Sequence, residues 1–267
     1  MSKWGLFEDK CFHYLKATYG TDIVTFESEG KSNSAAPDVK VLIGGRHAFN
    51  METKMANAQC GQFVLFPNEA KRQFEYSRGN AYQINSDSRA IMIYMDNLFD
   101  TFCVAGSRGQ AITLDKAILY SWIKNYYKSK GVQFFVSEWQ GRIVIFPIDK
   151  MEDYFNVSAI YRMKKSGSTS PSPSNNTEIL GLVNDPTANI YTDSGKVFVS
   201  TTKNLTDTIL KGDKYSYIFR FAGSGTYMIR RLSNTFNSNV IFSISLKKGQ
   251  DAADLELFLQ AIKKPNS

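Results

Sequence analysis

The chain has little of what marks several large protein classes. No stretch reaches 18 apolar residues, so the sequence offers no helical membrane span. Cysteine occurs three times, at Cys11, Cys60 and Cys103, with wide spacing and no Cys-x-x-Cys. That pattern gives neither a disulfide framework nor a thiolate zinc site, and it fits reduced thiols in a cytoplasm. The two histidines, His13 and His47, are too few for an imidazole metal cluster, and His13 reads as a helix-surface residue. The opening Met-Ser-Lys-Trp-Gly-Leu lacks the apolar region of a secretion signal. A cytoplasmic protein is therefore expected, and the sequon Asn204-Leu205-Thr206 is discounted. No internal repeat is visible.

What is present narrows the class further. A length of 267 residues suits one large domain or two small ones. A hydrophobic fraction of 43% is ordinary for a soluble globular chain, and most of the 14 Tyr and 19 Phe are expected in the core. Thirty-two Lys and Arg against 25 Asp and Glu leave a net charge of +7, which favours a polyanionic partner.

The densest chemistry lies in Pro37-Asp38-Val39-Lys40-Val41-Leu42-Ile43, a Gly44-Gly45 turn, and His47-Ala48-Phe49-Asn50-Met51-Glu52-Thr53-Lys54. Glu52 and Lys54 are two apart on one strand and share a face. A hairpin brings Asp38 near Glu52. Two close carboxylates repel unless a cation lies between them. Mg²⁺ is typically held by one or two carboxylates plus substrate phosphate, which suits metal-assisted phosphodiester hydrolysis. The alternative is an ordinary hairpin with solvated charges on one face.

Pro37-Asp38, a spacer and Glu52-Thr53-Lys54 resemble the active-site signature of the PD-(D/E)xK nuclease superfamily, which includes most type II restriction endonucleases. The resemblance covers roughly residues 1–100. It implies a mixed α/β sheet flanked by helices and a Mg²⁺ ion, replaceable by Mn²⁺, as sole cofactor. It also implies double-stranded DNA as substrate, a homodimer, and no membrane partner. Asp38 and Glu52 would hold the metal with the Thr53 carbonyl as a further ligand, and Lys54 would stand near the attacking water. Superfamily members often carry a first-helix glutamate near the site. Glu8 occupies that place, as a catalytic residue or as a rim carboxylate reaching water.

Around this motif, residues 2–18 read as an amphipathic helix with Trp4, Phe7, Cys11 and Leu15 inward. Residues 22–29 read as a strand, and Lys31–Ala36 as a polar loop beside the catalytic strand. Asn57, Gln59 and Gln62 fall in an apparent loop after Lys54; they either contact DNA or are solvated. Pro67 suits the first turn of a helix over 67–78, and residues 90–96 read as a doubly buried strand. A helix over 113–130 turns Leu114, Ile118, Trp122, Ile123 and Tyr126 inward. A hairpin (132–137 and 142–147) and a strand (157–163) follow.

Composition then shifts. Arg162, Lys164, Lys165 and Ser166 lead into a Ser/Pro-rich stretch, read as a flexible linker or, given its cations, as a DNA-contacting loop. The expected division is a nuclease core at 1–165, this loop at 166–177, and a β-rich half at 178–267 for DNA recognition or clamping. In that half, strands are expected at 178–183, 188–192, 196–201, 215–222, 226–232 and 239–246, with a closing helix at 252–263. Arg230 and Arg231 are candidate DNA contacts, and Arg220, Lys247 and Lys248 add positive charge. The rivals to restriction are a repair or junction-resolving nuclease and a non-catalytic DNA-binding module.

Overall fold

The computed structural model describes residues 3–29, 36–77, 84–165, 168–233 and 236–263, and of 164, 165, 236 and 237 the backbone alone. The chain divides into two compact units, Met1–Arg162 with Asn239–Ser267, and Met163–Ser238. The first runs α1 (Lys3–Tyr19), β1 (Val24–Ser28), β2 (Val39–Ile43), β3 (Arg46–Thr53), β4 (Asn57–Asn68), β5 (Gln73–Tyr76), α2 (Ser86–Asn97), a short α3 (Phe99–Phe102), β6 (Gln110–Ile112), α4 (Lys116–Lys128), β7 (Val132–Trp139), β8 (Arg142–Pro147), a short α5 (Met151–Tyr154) and β9 (Phe155–Lys165). The second holds β10 (Ser168–Thr169), α6 (Asn176–Val183), β11 (Asn189–Asp193), β12 (Lys196–Ser200), β13 (Ile209–Lys211), β14 (Ser216–Gly223) and β15 (Thr226–Leu232). Then β16 (Phe236–Leu246) and α7 (Ala252–Lys263) return to the first unit.

The first unit contains two five-stranded sheets, ordered β1-β2-β3-β7-β8 and β5-β4-β16-β9-β6. In the first sheet β3 and β7 are parallel and the other neighbours antiparallel, so the sheet is mixed. Helices α1 and α7 cover one face of it, setting Cys11, Leu15, Phe258 and Ile262 on Val41, Phe49, Met51, Phe134 and Val136. Each such fully buried side chain contributes about 1.5–3 kcal/mol over an exposed one. Helix α4 packs against both sheets. Trp122 stacks on Phe242 of β16 at 4.1 Å, and Tyr127 meets Phe135 of β7 edge-on at 5.3 Å.

In the second unit β11-β12-β15-β14-β13 form a sheet, with β10 on β15. Ile179 and Val183 of α6 pack on Val197, Val199, Tyr217, Phe219 and Ile229. The mixed α/β class and the strand-rich C-terminal half thus stand.

Several expected elements change type. The helix expected over 67–78 is the β4–β5 hairpin, with Pro67 opposite Phe74. The strand expected over 90–96 lies in α2. Asn85 and Ser88 form a capping box there, and only Ser88, Ile91 and Met95 are buried, so the apolar run hides a one-sided stripe. The strand expected at 178–183 is α6, closed by Asn184 in the left-handed conformation at φ 48°. The loop expected after Lys54 is β4, paired with β16. The pairing skips a residue between Gln59 and Gln62, and Gly61 sits in that bulge at φ +98°. A Cβ there would come within 2.6 Å of the Trp122 ring, so the position demands glycine. The expected block 178–267 is split, because β16 pairs with β4 and α7 packs under the first sheet.

A candidate active site at the end of the central hairpin

The β2–β3 hairpin turns through Gly44 (φ +58°) and Gly45 (φ +77°), a conformation suited to a tight two-residue hairpin. Ile43 pairs with Arg46 and Leu42 with His47, but Val41 pairs with Phe49, leaving Ala48 as a bulge. That extra residue shifts the register by one. Val39 then faces Met51, which sets Asp38 across from Glu52 rather than Met51. Without the bulge the two carboxylates would point to opposite faces. The bulge is what places the motif's two carboxylates on one face.

The strand end is held on both sides. Thr53 donates its backbone N–H and its hydroxyl to Asp38 Oδ2, each at 2.8 Å. Lys54 N–H donates to the Val136 carbonyl at 2.8 Å, and the Ser137 hydroxyl donates to the Lys54 carbonyl at 2.7 Å. Further back, Asn50 donates to the Lys130 carbonyl and pairs with His47 Nε2, both at 2.7 Å.

Lys54 Nζ donates to Glu52 Oε1 at 2.5 Å, with side chains 14% and 7% exposed. The second oxygen, Glu52 Oε2, is buried without a hydrogen-bond partner. Burial raises the Glu52 carboxyl above its ordinary range and Asp38 adds to this, while Lys54 and Lys130 oppose it. Burial disfavours the Lys54 ammonium, but Glu52 and Asp38 outweigh it, and the net direction is up. Lys54 is therefore a fixed cation. Glu8 is brought to the same place. Burial, then Asp38 and Glu52, push its carboxyl up to about 7, against the pull of Lys54.

The orphaned Glu52 oxygen and the Asp38 carboxylate across the hairpin are a donor pair of the kind that fits a hard divalent cation. Among the described residues no set of three or more His, Cys, Asp or Glu side chains converges at ligand distance. A two-carboxylate donor set suits Mg²⁺, which keeps waters and takes substrate phosphate for its remaining positions.

The remaining candidates are scattered. Asn57, Gln59 and Gln62 are exposed on β4, with Gln59 bonded to Gln62 at 3.0 Å. Asn57 and Gln59 line an open groove of about 510 Å³ with Asn156, Ser158, Ser243 and Ser245. Sequence reading missed the last four, which come from β9 and β16 far along the chain. Arg162 is half-buried on β9. The side chains of Lys164 and Lys165, all of Ser166, and residues 31–35 of the polar loop lie outside the described residues. In the second unit Arg230 donates to the Ser168 carbonyl, and Arg231 lies over the Tyr215 ring at 4.3 Å, so each already has an intramolecular role.

A solved structure of the HhaI endonuclease in complex with DNA matches this chain at 36% identity and a TM-score of 0.77, over 98% of this chain and 100% of that one. The chain belongs to the type II restriction endonucleases. No protein-family model and no curated protein matches it. Among its described residues no helix is long and apolar enough to cross a membrane.

Proposed function

We propose that this chain is a Mg²⁺-dependent, sequence-specific endonuclease of double-stranded DNA, with Mn²⁺ able to replace Mg²⁺. The observation that carries the reading is Glu52, buried against Lys54 with its second oxygen unclaimed. Asp38 and Glu52 would hold the ion with the Thr53 carbonyl, and when bound it supplies Lewis-acid stabilisation of phosphate charge and a more acidic water. Lys54 adds a fixed positive charge where the attacking water and the phosphorus meet. Glu8 is an outer participant that accepts a proton or a metal-bound water.

DNA contacts on this reading come from Asn57, Gln59 and Gln62, which can pair with adenine, and from Arg162, Lys164, Lys165, Ser166, Arg230 and Arg231 at phosphates or guanine edges. The unit 163–238 would recognise or clamp the target. Two copies would act together, one per strand; sedimentation with a palindromic duplex gives the stoichiometry. The free thiols Cys11, Cys60 and Cys103 suit a reducing cytoplasm.

The deciding experiment incubates the protein with unmethylated phage DNA with and without Mg²⁺. Discrete bands only with the metal are expected. A smear would make it a non-specific repair-type nuclease, and retained but intact DNA a binding module.

A further inference from the structure

Behind the catalytic lysine stands a residue that no sequence motif marks. Tyr127, near the end of α4, is 3% exposed, and Lys54 Nζ lies over its ring at 5.3 Å from the centroid. Lys130 Nζ lies 5.4 Å from the same ring. Lys54 is hydrogen-bonded to Glu52, and the charge of Lys130 acts on the same carboxyl. The ring is itself held firmly, edge-on to Phe135 at 5.3 Å and to Tyr126 at 4.9 Å. The face of an aromatic ring carries partial negative charge and attracts an ammonium, more strongly where water is excluded.

We propose that Tyr127 is a positioning residue: its ring seats the Lys54 ammonium from behind and fixes where that charge stands beside Glu52. The argument rests on the role given to Lys54 above. The hydrogen bond to Glu52 alone leaves an unbranched four-carbon stem free to swing about one contact. A ring beneath the ammonium limits that freedom by a second contact. Phe135 of β7 packs edge-on against the ring, so α4 and the first sheet both bear on the placement of one nitrogen. The contact would matter most when a cation at Glu52 pushes Lys54 away, since the ring then supplies the remaining attraction.

The test alters the ring's charge and leaves its shape. Taking Tyr127→Phe as reference, the Phe is replaced by its mono-, di- and trifluorinated forms in the full-length protein, and single-turnover DNA cleavage is measured at saturating Mg²⁺. Fluorine drains the ring face, so the rate should fall stepwise, by about tenfold across the series. Urea unfolding and DNA retention in Ca²⁺, measured in parallel, should move little, as the packing is unchanged. A second arm repeats the series in Lys54→Ala, where the residual rate should no longer respond to fluorination. A flat series in the Lys54-containing protein, or an equal fall in both backgrounds, overturns the role of Tyr127. Full cleavage by Lys54→Ala itself would instead overturn the reading of the active site.

Discussion

Two lysine–glutamate pairs in this molecule look alike and differ in everything that matters. Lys71 and Glu75 meet at 2.9 Å with side chains 64% and 49% exposed; Lys54 and Glu52 meet at 2.5 Å with 14% and 7% exposed. The first pair exchanges water for a partner at little cost or gain. The second forfeits hydration on both sides and still leaves one carboxylate oxygen without a partner. A fold gains nothing from such a choice, because apolar residues of similar volume would pack there more stably. On the function proposed above the buried pair serves chemistry, whereas the exposed one decorates a hairpin.

That contrast can be broken experimentally, beginning with activity. Asp38→Ala and Glu52→Ala should each lower Mg²⁺-dependent cleavage by about 10³-fold or more, the loss of several kcal/mol of transition-state stabilisation. Retained DNA binding, by mobility shift, should accompany the loss. Wild-type cleavage in either variant would remove the hairpin from the chemistry.

Stability comes next. Glu52→Ala strands a buried ammonium and should cost about 3–5 kcal/mol in urea unfolding. The double change Glu52→Leu with Lys54→Met should recover that loss while remaining inactive. A double variant as unstable as the single one would mean the pair stabilises the fold after all.

Glu8 sharpens the picture through pH. Its folded-state carboxyl, at about 7, sits above the ordinary value of 4.5, so folding favours the protonated form. The associated stability is fully present below 4.5 and is lost as pH rises through 7. In EDTA, Glu8→Gln should match wild type at pH 4.5 and unfold at higher urea at pH 8.5. Identical midpoints at both values would make Glu8 an ordinary rim carboxylate. The smallest effect belongs to the exposed pair: Glu75→Ala should leave the urea midpoint close to that of the wild type and cleavage unaltered.

The β2–β3 hairpin was legible because its signals are local: a Gly44-Gly45 turn, alternating apolar residues, and Glu52 two positions before Lys54. The Ala48 bulge that makes Asp38 face Glu52 was not, since nothing in that residue distinguishes a bulge from a strand position. Ile91 and Met95 were misread for a related reason. A short run rich in branched apolar residues fits a strand or a buried helix, and the Asn85–Ser88 capping box that decides between them is a weak signal. Tyr126 was expected inward and Tyr127 is the buried one, because burial near the end of α4 follows the sheet it meets rather than helical period alone. The groove of Asn156, Ser158, Ser243 and Ser245 lay beyond reach, being assembled from strands about 90 residues apart in a chain read without its pairing.

The late return of the chain bears on how a cell survives making this protein. The sheet that carries Asp38, Glu52 and Lys54 rests on Phe258 and Ile262, and the sheet beside it is closed by β16. The whole second unit is therefore synthesised before the first unit can close its core. Nascent or prematurely terminated chains carry every residue of the cutting motif yet lack the packing that holds those residues in register. The order of synthesis thus delays the appearance of a competent DNA-cutting enzyme until β16 and α7 have been made.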